Sequence, residues 1–210
     1  MTDREPRNAH QESYLALGDS YTIGEGVAPD ERWPNQLAAM LRAKGAALND
    51  PHIIAQTGWT TGELLEAIAQ SSIAGPFRLV SLLIGVNNQY RGAPLDQFRT
   101  EFARLLEIAV SFAGGAPGRV LTLSIPDWGV TPFAAGGDTE RIAREIDQFN
   151  QVVRVEATRR GAMFVDVTGI SRDPVTRAHL ANDGLHPSGD MYRKWAEAAR
   201  PFALAALSER

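Results

Sequence analysis

Five short, continuously apolar runs recur along this chain, and longer amphipathic segments separate them. The apolar runs are Tyr14–Leu17, His52–Gln56, Leu79–Ile84, Val120–Ser124 and Met163–Val167. They are rich in Val, Ile and Leu and do not alternate with polar residues, as strands covered on both faces do not. The helical segments fall between and after them: Trp33–Lys44 stopped by Gly45, Thr61 to about Ser71, Leu95–Phe112, Asp138–Arg160, and a last one from near Ser188. In the third, Phe98, Phe102, Leu105, Ala109 and Phe112 share one face; in the fourth, Ile142, Ile146, Phe149 and Val153 do. The last carries Trp195, Ala199 and Phe202. Strand and helix in alternation, joined by right-handed crossovers, make an α/β fold. The expected architecture is a flavodoxin-like three-layer α/β/α sandwich with a five-stranded parallel sheet.

The 210 residues suit one domain, expected over 13–210 behind a polar leader at 1–12. A net charge of -4 with no basic run gives no reason to expect nucleic acid or an anionic membrane surface. Without cysteine, thiolate chemistry and disulfides are excluded. The charged N-terminus lacks a signal-peptide core, and no stretch reaches the roughly 18 apolar residues of a spanning helix. A cytoplasmic protein without membrane insertion is expected; the oligomeric state is left open.

Three segments at strand ends carry chemistry. Gly18-Asp19-Ser20-Tyr21 follows the first strand, Gly85-Val86-Asn87-Asn88 the third, and Asp183-Gly184-Leu185-His186-Pro187 stands near the C-terminus. A serine, an amide able to donate to an oxyanion, and an Asp-x-x-His pair are what acyl transfer through a serine nucleophile requires. Gly58, after the second strand, lets the backbone approach a ligand closely, so its N–H is a candidate oxyanion donor. Taken singly, each segment also reads as an ordinary turn: Thr60 or Thr61 could simply cap a helix after Gly58, and an asparagine can bond its own backbone. His10, His52 and His179 form no metal-ligand spacing with His186, so neither metal nor cofactor is expected.

In combination the segments resemble the SGNH hydrolases, the GDSL family of lipases and esterases. Ser20 matches the serine block (Gly-Asp-Ser-Tyr for the usual Gly-Asp-Ser-Leu), Gly58 the glycine block, Asn87 the asparagine block and His186 the last, with Asp183 in Asp-x-x-His-Pro. The third block departs from the family pattern, with Asn88 where Asp is usual. No Gly-x-Ser-x-Gly elbow surrounds Ser20, which argues against an α/β-hydrolase. The resemblance implies a metal-free Ser20–His186–Asp183 triad and an oxyanion hole from the Ser20 and Gly58 N–H groups and the Asn87 amide. A small-molecule ester is the expected substrate, with a thioester, a lysophospholipid or a noncatalytic binding role as alternatives. The expected pocket wall is Trp59, Asn88, Tyr90, Trp128 and Phe133, which favours acetyl to butyryl esters. Asp127 and Arg91 are candidates for an ion pair beside it.

Overall fold

In the computed structural model, which describes residues 13–208, the apolar runs form one five-stranded, all-parallel sheet. The strands are β1 (Tyr14–Gly18), β2 (His52–Ala55), β3 (Leu79–Leu83), β4 (Val120–Leu123) and β5 (Met163–Val165), in the order β2-β1-β3-β4-β5. This is the doubly wound order of a flavodoxin-like sheet, with its switch point beside β1. The central strands β1, β3 and β4 are buried throughout, and the edge strands β2 and β5 only in part. Two polar groups in this apolar layer satisfy each other: the Tyr14 Oη and Ser81 Oγ hydroxyls hydrogen bond at 2.9 Å. The polar leader expected at 1–12 lies outside the described residues.

The helices are α1 (Ser20–Ile23), α2 (Trp33–Ala43), α3 (Thr61–Gln70), α4 (Val86–Tyr90), α5 (Leu95–Phe112), α6 (Thr139–Arg160), α7 (Thr168–Arg172) and α8 (Gly189–Ser208). Helices α2 and α8 pack on each other, as do α3 with α5 and α5 with α6, which makes the two outer layers. The expected inward faces of α5 and α6 are buried, except that Phe112 is only half-buried, edge-on to Phe77. In α8, Trp195 and Ala199 are buried, whereas Phe202 is 38% exposed. The small residues Ala199, Ala203 and Ala206 fill the inward stripe, which leaves the bulkier ring at its edge. Three short helices, α1, α4 and α7, were not anticipated, because four or five residues carry no readable period.

What matters for the site is how the chain leaves the sheet. Gly85, two residues past β3 and the cap of α4, has φ +127°, and a Cβ there would stand 2.6 Å from the Phe98 ring and 2.9 Å from Ile125. Only glycine fits, and the chain turns there directly into α4. The ends of β1, β2 and β3 thus open onto one edge of the sheet, at the switch point where ligands bind in this class of fold.

Candidate active site

Ser20 is the first residue of α1, not part of an open turn as the sequence suggested. Asp19 caps that helix, its Oδ1 accepting the Tyr21 N–H at 3.0 Å, and Gly24 ends it in the left-handed region. The first N–H groups of any helix lack intrahelical acceptors, so the Ser20 N–H is available to a ligand. Asp19 is fully buried. Loss of hydration raises its carboxyl to about 7, although N–H groups including that of Tyr21 oppose the shift.

The turn 57–61 is held by α4 and its C-cap, Arg91. Gly58 has φ +89°, a conformation for glycine. Arg91 Nη2 donates to the Gly58 carbonyl at 2.6 Å, and Asn87 Nδ2 donates to the Trp59 carbonyl at 2.9 Å. An amide NH₂ has two hydrogens, so this bond leaves Asn87 a second donor. Asn88, expected at the substrate, is instead 2% exposed and committed to the start of α3. Its Oδ1 accepts the Thr61 N–H at 3.0 Å and its Nδ2 donates to Thr61 Oγ1 at 2.7 Å. The Thr61 hydroxyl spends its one proton on the Glu101 carboxylate. What remains at that hydroxyl is a lone pair, which an amide satisfies and a carboxylate does not. This accounts for Asn where the resemblance leads one to expect Asp.

His186 and Asp183 share a self-bonded turn. Asp183 Oδ1 accepts the N–H groups of Leu185 and His186, both at 2.9 Å, and Oδ2 meets His186 Nδ1 at 2.6 Å. Partial desolvation pushes the Asp183 carboxyl up, but the imidazole and the two N–H groups outweigh it, and the group lies below its ordinary value. A carboxylate on Nδ1 fixes the proton there and leaves Nε2 as the basic nitrogen. The Ala181 N–H to His186 carbonyl bond at 2.7 Å and the Ser188 N–H to His179 carbonyl bond at 3.0 Å pin the loop. The Tyr21 ring, 5.4 Å from the imidazole, backs it.

Ser20, Gly58, Asn87 and His186 line one cleft of about 140 Å³. Of the expected wall, Tyr90, Trp128 and Phe133 are present, with ring centroids 5.3 to 6.2 Å apart. Tyr90 (56% exposed) and Phe133 form its outer rim. Trp128 is held from behind: its Nε1 donates to Gln89 Oε1 at 2.7 Å, and Gln89 Nε2 donates to Glu145 at 2.7 Å. Trp59 is absent from the lining; its ring packs on the core and only its carbonyl serves the site. Tyr21, Thr57, Val86 and Leu185 line the cleft and were not anticipated, although each adjoins a motif residue.

The expected Asp127–Arg91 pair does not form. Asp127, with its side chain almost wholly buried, takes Arg172 Nε at 2.8 Å, while Arg91 pairs with Glu63 at 3.3 Å. Among the described residues no cluster of His, Cys, Asp or Glu could hold a metal, and no helix is long and apolar enough to cross a membrane. A hydroxyl, an imidazole oriented by a carboxylate, and donors from three segments around one small cleft can carry out nucleophilic acyl transfer.

Known proteins bear on this arrangement. The family model described as GDSL-like Lipase/Acylhydrolase matches residues 16–194. No curated protein matches the sequence. Among solved structures, TesA is 22% identical with a TM-score of 0.69, over 91% of this chain and 97% of that one. A Clostridium thermocellum family 3 carbohydrate esterase is 20% identical with a TM-score of 0.71, over 93% and 96%. Axe2, an acetylxylan esterase from Geobacillus stearothermophilus, is 19% identical with a TM-score of 0.67, over 95% of each chain. At these identities the structural likeness speaks for the fold.

Proposed function

The chain belongs to the GDSL-like lipase/acylhydrolase family, and on that premise we propose that it is a serine esterase acting on a small carboxylic ester through an acyl-enzyme on Ser20. The observation that carries this reading is the shared cleft of Ser20, Gly58, Asn87 and His186, with Asp183 bonded to the imidazole at 2.6 Å.

The Ser20 hydroxyl attacks the ester carbonyl while His186 Nε2 takes its proton. The carbonyl oxygen becomes an oxyanion, received by the Ser20 and Gly58 N–H groups and the second Asn87 amide hydrogen. Collapse of the tetrahedral adduct expels the alcohol, which takes the proton from His186. Water then attacks the acyl-Ser20 ester with His186 again as base, and the free acid leaves. Asp183 stays ionised throughout, holding the imidazole and compensating its transient charge.

The size of the cleft supports a short acyl group. An apolar cavity of about 150 Å³ holds one benzene molecule, six heavy atoms. The cleft here is of similar volume, about 140 Å³, and aromatic rings rim its open side. Acetyl to butyryl chains fit; a longer chain has to lie across the exposed rim.

Pre-steady-state hydrolysis of p-nitrophenyl butyrate tests the reading. One equivalent of p-nitrophenol per chain should appear in a burst, and Ser20→Ala should abolish both burst and turnover while remaining folded. A folded Ser20→Ala variant with near-wild-type turnover would remove Ser20 as nucleophile.

A further inference from the structure

We propose that Arg91 is a positioning residue for catalysis, an external brace that holds the Gly58 turn so that the Gly58 N–H stays aimed into the cleft. The inference rests on the esterase reading above and adds to it a residue outside the reacting set.

Every residue of the 57–61 turn is tied by a side chain. Thr57 Oγ1 contacts the Glu25 carboxylate. Arg91 takes the Gly58 carbonyl, Asn87 the Trp59 carbonyl and Asn88 both the N–H and the hydroxyl of Thr61. Thr60 is held by Glu63, whose Oε2 accepts its N–H at 2.7 Å and its Oγ1–H at 2.8 Å. Those bonds, with the nearby Arg91 charge, also keep the Glu63 carboxyl below its ordinary value. Arg91 Nη1 in turn lies 3.3 Å from Glu63. One guanidinium therefore spans the turn from Gly58 to Thr60, using two faces of its fork.

Gly58 needs such a brace more than its neighbours do. At φ +89° it has no side chain of its own to pack, and beyond its chain neighbours Arg91 Nη2 alone among the described residues comes within 4 Å of where a Cβ would sit. Its N–H has no acceptor among the described residues. Within the turn, the Trp59 N–H to Gln56 carbonyl bond at 3.3 Å is long and holds only the peptide that follows Gly58; an oxyanion donor counts only when it is oriented before the charge forms. A charge-assisted hydrogen bond to the Gly58 carbonyl holds that following peptide from the solvent side and so restricts rotation about the Gly58 backbone, which sets where its N–H points. The residues lining the cleft include Gly58 and Tyr90 but not Arg91, which places its guanidinium behind the turn.

The same geometry makes the inference testable. The Arg91 side chain is 51% exposed and its Glu63 partner 43%, and exposed ion pairs contribute little to stability. Replacing Arg91 should therefore leave folding intact and move the chemical step. The experiment compares kcat and KM for p-nitrophenyl acetate in wild type, Arg91→Met, Arg91→Lys and Ser20→Ala, with melting temperatures and with added guanidinium at low concentration. Arg91→Met should lose about tenfold in kcat at unchanged KM and melting temperature, less than the 10²–10³ lost when a donor is removed outright. Guanidinium should restore part of that loss, and Arg91→Lys should lie between Met and wild type. An unchanged kcat in Arg91→Met overturns the inference. So does a rise in KM alone, which makes Arg91 a binding residue. A kcat loss that tracks melting temperature, or that neither guanidinium nor lysine relieves, also overturns it. Activity surviving in folded Ser20→Ala would instead refute the esterase mechanism itself.

Discussion

Replacing Asp183 by Asn isolates the work of one carboxylate oxygen. Asp183 uses Oδ1 to accept the Leu185 and His186 N–H groups and Oδ2 to meet His186 Nδ1. Asn keeps the first oxygen and turns the second into an NH₂. The turn then survives, but the amide donates toward Nδ1 and drives the imidazole proton to Nε2, the nitrogen that accepts from Ser20 in the proposed mechanism. In a fully buried triad that tautomer inversion costs about 10⁴ in kcat. The Asp183 side chain is 41% exposed, so solvent screens part of its charge on the imidazolium. Losing that charge should raise the barrier by about 3–4 kcal/mol, or 10²–10³ in kcat. Stability should change by less than about 1 kcal/mol, since both backbone bonds persist. Asp183→Ala removes those bonds too and should cost roughly 1–2 kcal/mol more. Steady-state kinetics on p-nitrophenyl acetate with parallel urea melts would read both quantities. A folded Asp183→Asn enzyme retaining more than a tenth of wild-type kcat would refute the orienting role.

Three further outcomes follow from the same geometry. Asn87→Ala should lower kcat by about 10²–10³ with KM little changed; because Asn87 also holds the Trp59 carbonyl, a rise in KM alone would reduce it to a turn residue. Burial raises Asp19 from 3.8 to about 7, so the folded protein keeps a proton that the unfolded chain releases between those values. Its contribution to stability is full at the acidic end, declines from about pH 4 to 7 and is level above. Asp19→Asn should flatten that decline in melting temperature, and an unaltered slope contradicts the assignment. Across p-nitrophenyl esters, kcat/KM should peak between acetyl and butyryl; a steady rise to palmitoyl would make the aromatic rim an open lipid groove.

What could be read beforehand and what could not divide along a physical line. The strands were legible because burial on both faces leaves continuous apolar runs, and α5 was legible from Leu95 to Phe112 because its stripe has a helical period. The Asp183–His186 contact was legible because three residues of one turn carry it. Asn88 was misjudged because its partner Thr61, and the Glu101 carboxylate that takes the Thr61 proton, belong to other elements, and only the folded chain brings that hydroxyl and carboxylate together. Asp127 and Arg91 were paired by proximity to the motifs, whereas Arg172 and Glu63 satisfy them from α7 and α3. Trp59 adjoins Gly58 in sequence, yet the turn directs its ring to the core.

The central claim is that Ser20, and no other nucleophile, carries the acyl group. Reaction with a p-nitrophenyl phosphonate followed by intact-mass and peptide mass spectrometry tests it most directly. The account expects one adduct per chain, on Ser20, formed in step with the loss of esterase activity and absent from Ser20→Ala. An adduct on another residue, or complete labelling of Ser20 with activity intact, would contradict it.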